Sequence, residues 1–135
     1  MKRIISLLLI LLLWGCGRPP GETAGLNSEK DRQWYLNEQG LEAAEAPISV
    51  QEVKLPETFP PVLVRYNQLQ LKQGFDLNRY SGKYVTVYTY ELCGSEGGQL
   101  RFASLYLYKG RLIGGDIHSA ALNGYIGPIR ATENG

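Results

Sequence analysis

Three stretches decide the fold: Tyr84-Val85-Thr86-Val87-Tyr88-Thr89-Tyr90-Glu91-Leu92, Leu100-Arg101-Phe102-Ala103-Ser104-Leu105-Tyr106-Leu107-Tyr108, and Arg111-Leu112-Ile113-Gly114-Gly115-Asp116-Ile117. Each is rich in β-branched or aromatic residues and has a period of two, as strands do. Gly94-Ser95-Glu96-Gly97-Gly98 separates the first pair, and Lys109-Gly110 the second. Connections this short join antiparallel neighbours, so the three strands form a meander. Gly114-Gly115 inside the last strand predicts a bulge or a close backbone approach.

The alternation sorts side chains into two sets. Val85, Val87, Ala103, Leu105, Leu107, Ile113 and Ile117 form an aliphatic set; Tyr84, Tyr88, Tyr90, Phe102, Tyr106 and Tyr108 form an aromatic one. Each set is expected to line one face of the sheet.

Upstream the period changes. Ser28 is a helix N-cap, because its hydroxyl can accept from an unpaired backbone N–H. Asp31 suits the positive end of the helix dipole, and Gly40 ends the helix. So short a helix is marginal alone, and Trp34, Tyr35 and Leu41 are its expected anchors. Residues 48–55 read as a short strand before Pro56 that pairs at either edge of the sheet. Residues 60–73 read as a second helix, with Pro60 and Pro61 where N–H groups lack partners anyway. Its apolar stripe is Phe59, Val62, Leu63, Tyr66 and Leu69, and Phe75 folds back after Gly74 as in a Schellman cap. The expected class is α+β: an antiparallel sheet of three to four strands with one long and one short helix packed on it. The long helix is expected on the aliphatic face. The aromatic face is left open or partly covered by the Trp34 helix.

The N-terminus predicts an address. Met1-Lys2-Arg3 precedes an apolar run over residues 4–14, a signal peptide by length and flank. The run is short of the roughly 20 apolar residues a span needs. Leu13-Trp14-Gly15-Cys16 resembles a bacterial lipobox, which implies a diacylglyceryl group on Cys16 and cleavage before it. Two acyl chains anchor stably where one is marginal. Trp14 departs from the pattern, so ordinary cleavage that releases a secreted protein, or no cleavage, stay open. Residues 1–15 are thus a signal peptide, 16–27 a lipidated flexible tether, 28–130 a single α+β domain and 131–135 a tail. The expected location is the outer face of the bacterial cytoplasmic membrane.

The 14 basic residues less Lys2 and Arg3 leave 12, against 13 acidic. That balance offers no basic patch for nucleic acid. With Cys16 lipidated only Cys93 remains, so no disulfide forms within one chain.

Chemistry-bearing residues are few. Asp116 and His118 are two apart on a strand and share a face; a carboxylate beside an imidazole is a hydrolytic arrangement. Ser119 points the other way. Cys93 lies two strands from His118, about 10 Å at ~4.8 Å per strand. One histidine without metal-ligand spacing predicts no metal site, and nothing in the spacing requires Asp116, Glu91 and His118 to meet. Gly114-Gly115-Asp116 has no following helix and is not a phosphate loop. No cofactor is expected.

Taken together, several strings resemble the domain of unknown function 4830 family, small exported lipoprotein-like proteins of clostridia and relatives. They are Trp34-Tyr35-Leu36, Tyr66-Asn67-x-Leu69-Gln70, Gln73-Gly74-Phe75-Asp76-Leu77, Tyr80-x-Gly82-Lys83, Tyr88-Thr89-Tyr90 and Gly110-Arg111-Leu112-Ile113-Gly114-Gly115-Asp116. The resemblance covers about residues 31–126 and implies export and an envelope location. It supplies no catalytic residue. A cysteine often stands in that family where this chain has His118, which argues against a shared role for the histidine.

The sequence therefore predicts a non-enzymatic envelope lipoprotein, a binding module for a protein or a cell-wall component. Its candidate binding face is Tyr84, Tyr88, Tyr90, Phe102, Tyr106 and Tyr108, since tyrosine suits wet recognition surfaces. The alternatives are a small hydrolase using His118 and Asp116, a protease-inhibitor-like domain, and a spacer without a ligand.

Overall fold

The structure, a computed structural model, describes residues 25–94, 99–121 and 124–130. The expected signal peptide, Cys16, most of the expected tether, residues 95–98 and 122–123 and the expected tail lie outside them.

Helix α1 is Glu29–Glu38. Its N-terminus closes a capping box: Ser28 Oγ accepts from Asp31 N–H at 3.0 Å, and Asp31 accepts from Ser28 N–H at 3.4 Å. Strand β1, Ser49–Lys54, follows, then helix α2, Pro61–Lys72. Phe75 N–H donates to Gln70 O at 2.9 Å and Gly74 N–H to Leu71 O at 3.0 Å. That is the Schellman pattern, with Gly74 at φ +85°, where a side chain would be strained. α1 ends the same way, by Leu41 N–H to Leu36 O and Gly40 N–H to Asn37 O. A 3₁₀ turn, Leu77–Tyr80, leads into β2, Tyr84–Glu91; β3, Arg101–Tyr108, β4, Arg111–Ser119, and β5, Ile126–Gly127, are the remaining elements among the described residues.

The five strands form one sheet in the order β1-β2-β3-β4-β5, every neighbour antiparallel. The class is α+β as expected, with one strand more than the sequence predicts. β5 is two residues long, too short to carry a period. Tyr106 faces Gly114 while Leu107 faces Leu112, so Ile113 is the extra residue of a bulge beside the glycine pair.

The register overturns the expected sorting of faces. Tyr88 pairs with Leu105 and Val87 with Tyr106, and directly opposite residues share a face. Tyr84, Tyr88 and Tyr90 of β2 therefore lie on one side with Ala103, Leu105 and Ile117, whereas Phe102, Tyr106 and Tyr108 lie on the other with Val85 and Val87. A shift of one residue flips a whole strand, and period-two reading of separate strands does not fix the register between them.

α1 packs on the first face. Tyr35 and Leu36 join Tyr90, Leu92, Ala103, Leu105, Leu107 and Leu112 in the larger core. Trp34 does not anchor the helix; it is 55% exposed. At 3.6 residues per turn Arg32, Tyr35 and Leu36 share the inward stripe, and Trp34 falls outside it. The second face carries Phe59, Tyr66, Leu77 and Tyr80 against Val85, Val87, Tyr106, Tyr108 and Ile113. α2 is also turned from its expected stripe: Val62 is 72% exposed, while Asn67 and Gln70 are buried. Leu26, expected in the tether, is core, and its N–H donates to Gly110 O at 2.7 Å. The packed domain thus begins ahead of residue 28.

Candidate functional site

The inward polar residues of α2 have a task at the sheet edge. β5 ends at Gly127 and Pro128 follows, so β4 lacks a strand partner beside Gly115. Buried backbone groups need partners, and here side-chain amides supply them. Gln70 Oε1 accepts from Gly115 N–H at 2.9 Å, and Gln73 Nε2 donates to Gly115 O at 3.1 Å. Gln73 Oε1 accepts from the N–H groups of Ile129 at 2.9 Å and Arg130 at 3.2 Å. Asn67, one turn earlier, donates to Asp76 at 2.9 Å and accepts from Leu77 N–H at 2.8 Å.

The glycine pair makes this approach possible. A Cβ on Gly115 would stand 2.9 Å from Ile129 Cγ2 and 3.0 Å from Ser104 O. One on Gly114 would stand 3.0 Å from Leu77 Cδ2 and 3.1 Å from Gln70 Oε1. The glycines serve close packing beside the bulge at Ile113, so both features expected of the pair occur.

The next residue along β4 is Asp116, buried at the end of this seam. Tyr66 Oη donates to its Oδ2, and His118 Nδ1 lies 2.7 Å from its Oδ1. A carboxylate only accepts, so it favours the tautomer with the proton on Nδ1. The imidazole stacks on Phe102, centroids 5.6 Å apart. Tyr66 packs on Tyr106 at 5.8 Å. Burial raises the pKa of Tyr66, and the Asp116 charge adds to the rise. Burial raises that of Tyr106 as well. Both hydroxyls therefore stay protonated at neutral pH.

The structure brings Asp116 and His118 together as expected, and adds Tyr66, which sequence reasoning placed only in an apolar stripe. Ser119 Oγ accepts from Tyr125 N–H at 3.1 Å, on the opposite face. Cys93 is exposed beyond the end of β2, with β3 between β2 and β4. No group of three or more metal-ligating side chains occurs among the described residues. A half-open depression of about 310 Å³ lies at this end of the sheet, lined by Gln99, Arg101, Ser119 and Tyr125.

The aromatic candidates meet different fates. Tyr88 lies under the Arg32 guanidinium at 3.9 Å. Tyr90 Oη accepts from Arg32 Nε at 2.9 Å and donates to Glu29 at 2.6 Å. Tyr106 and Tyr108 are packed by Tyr66 and Tyr80. Tyr84 alone among them is mostly exposed, at 60%, and Phe102 is half-buried. One cross-strand row on the α2 side stays partly open: Glu91, Phe102, His118 and Ile126. The first three are half-buried and Ile126 is 54% exposed.

Among the described residues no helix is long and apolar enough to cross a membrane. No curated protein and no solved structure matches the chain. The family described as a domain of unknown function, DUF4830, matches residues 36–117, more than half of the 135. That span holds α2, the Gln70 and Gln73 contacts with Gly115, and the Tyr66–Asp116 pair. The chain belongs to the domain of unknown function 4830 family.

Proposed function

We propose that this protein is an exported lipoprotein, held by lipid on Cys16, whose domain binds an envelope protein or a cell-wall component. The open row Glu91, Phe102, His118 and Ile126 carries the reading of a binding module. It offers a carboxylate, an aromatic edge, an imidazole fixed by Asp116 and an apolar side chain on one rigid surface. Sites built on strands hold their geometry better than sites on loops, and a few polar groups beside apolar surface suit specific recognition. The address rests on the basic start, the apolar run and the Leu13-Trp14-Gly15-Cys16 string.

The test places a photo-cross-linking amino acid at Phe102 in the membrane-held protein, with Lys72 on α2 as control position. A discrete adduct from 102, absent from 72 and lost on His118→Ala, supports the row as the contact surface. Equal or no adducts from both positions contradict it.

A second reading, a small hydrolase, draws on the 2.7 Å His118–Asp116 contact. It makes His118 a general base oriented by Asp116 and acting on a water. Ester or amide turnover abolished by His118→Ala, with folding intact, distinguishes it from binding.

A further inference from the structure

The strands run between two ends of opposite charge. Lys54 ends β1 opposite Tyr84, Lys83 precedes β2, and Lys109 sits in the β3–β4 turn ahead of Arg111. Glu57 in the loop after β1 is the acidic neighbour there, its side chain against Gly82. The start of α1 carries Glu29, Lys30, Asp31 and Arg32, whose charges offset one another, Arg32 lying 3.7 Å from Glu29. The opposite end carries Glu42, Glu45 and Glu91, with Arg101 as its cation. Tyr84 projects from the basic end, 60% exposed, with Lys54 Nζ 5.8 Å from its ring.

The basic end is also where the chain enters. Leu26 N–H donates to Gly110 O at 2.7 Å, beside Lys109. The link back to Cys16 therefore leaves the domain at this turn. Residues 17–24 reach about 28 Å at most when fully extended. A lead that leaves at this turn puts the basic end nearest the anchor.

We propose that the basic end docks on the anionic headgroup surface of that membrane, with Lys54, Lys83 and Lys109 against phospholipid phosphates and Tyr84 at headgroup level. The proposal rests on the lipid-anchor reading above. Lysines near an anionic leaflet are attracted within a Debye length, about 10 Å at 0.1 M salt. Tyrosine partitions to the same zone. The anchor makes docking intramolecular, so weak contacts suffice. Docking this way turns the Glu91, Phe102 and His118 row outward, toward the wall.

The test uses the full chain purified with its anchor and reconstituted in vesicles of phosphatidylcholine alone or mixed equally with phosphatidylglycerol. A membrane-impermeant amine reagent labels the lysines, and mass spectrometry reads each site. Labelling of Lys54, Lys83 and Lys109 falls several-fold on phosphatidylglycerol vesicles, recovers in high salt, and does not change at Lys72. The double variant Lys83→Gln, Lys109→Gln restores labelling of Lys54, each lost charge weakening docking about fivefold. Equal labelling on the two vesicle types, from protein that floats with both and carries lipid on Cys16, overturns docking and leaves the anchor standing. Protein without lipid on Cys16 that floats with neither overturns the anchor reading, and docking with it.

Discussion

Gln73 and Gly115 are joined edge to edge: the amide of Gln73 donates to the Gly115 carbonyl at 3.1 Å while its oxygen accepts from Ile129 N–H at 2.9 Å. One side chain thus takes the place of a strand between β4 and the C-terminal segment. A buried donor or acceptor left unpaired costs ~1–3 kcal/mol. Gln73→Leu strands three backbone groups and is expected to lower unfolding free energy by about 3 kcal/mol or more in urea titration. Loss under about 1 kcal/mol contradicts this role.

Gly115→Ala tests the close approach. The added methyl meets Ile129 Cγ2 and the Ser104 carbonyl at about 3 Å. Overpacking of this kind typically costs ~1–3 kcal/mol. Ile129→Ala in the same chain relieves only the side-chain half of the clash. The double variant should therefore cost less than the sum of the single ones.

His118 offers a readout of its contact with Asp116. Nitrogen-detected NMR of the neutral ring should show the proton on Nδ1 in the parent chain. Asp116→Ala removes the acceptor 2.7 Å away, and the ring should shift toward the Nε2 tautomer. Unchanged nitrogen shifts would mean that the pair does not persist in solution.

Alkaline pH reports on the buried phenols. The pKa values of Tyr35, Tyr66, Tyr90 and Tyr106 are raised above 10, burial being the first cause in each. Above pH 10 the unfolded chain loses these protons while the folded chain keeps them. The unfolded state then binds fewer protons, so stability falls as pH rises, by roughly 1.4 kcal/mol per pH unit for each group that stays protonated. Below pH 10 their contribution is complete. Denaturant midpoints measured between pH 8 and 11 should fall, and Tyr66→Phe should flatten the slope.

The local structure was legible because it follows from neighbours in sequence. Ser28 and Asp31 announce the capping box, Gly74 and Phe75 the Schellman turn, and the alternating runs the three long strands. The partition of the aromatics was not legible, because nothing in the residues joining β2 to β3 fixes the Val87–Tyr106 register. The inward turn of α2 was hidden for another reason. Asn67, Gln70 and Gln73 recur every three residues, but buried amides carry no apolar signal, and the β4 groups that Gln70 and Gln73 serve lie more than 40 residues away. Asp116 and His118 were found by spacing on one strand. Tyr66 was missed because its partner comes from a distant element.

The lipid anchor proposed for this protein depends on Cys16. Mass spectrometry of the protein recovered from the membrane fraction of the cells that make it decides it. A lipid-anchored protein yields an N-terminal peptide that begins at Cys16 and carries a diacylglyceryl adduct, with Cys16→Ser unprocessed and without that adduct. An unmodified N-terminus beyond residue 16, in protein released to the medium, would contradict it.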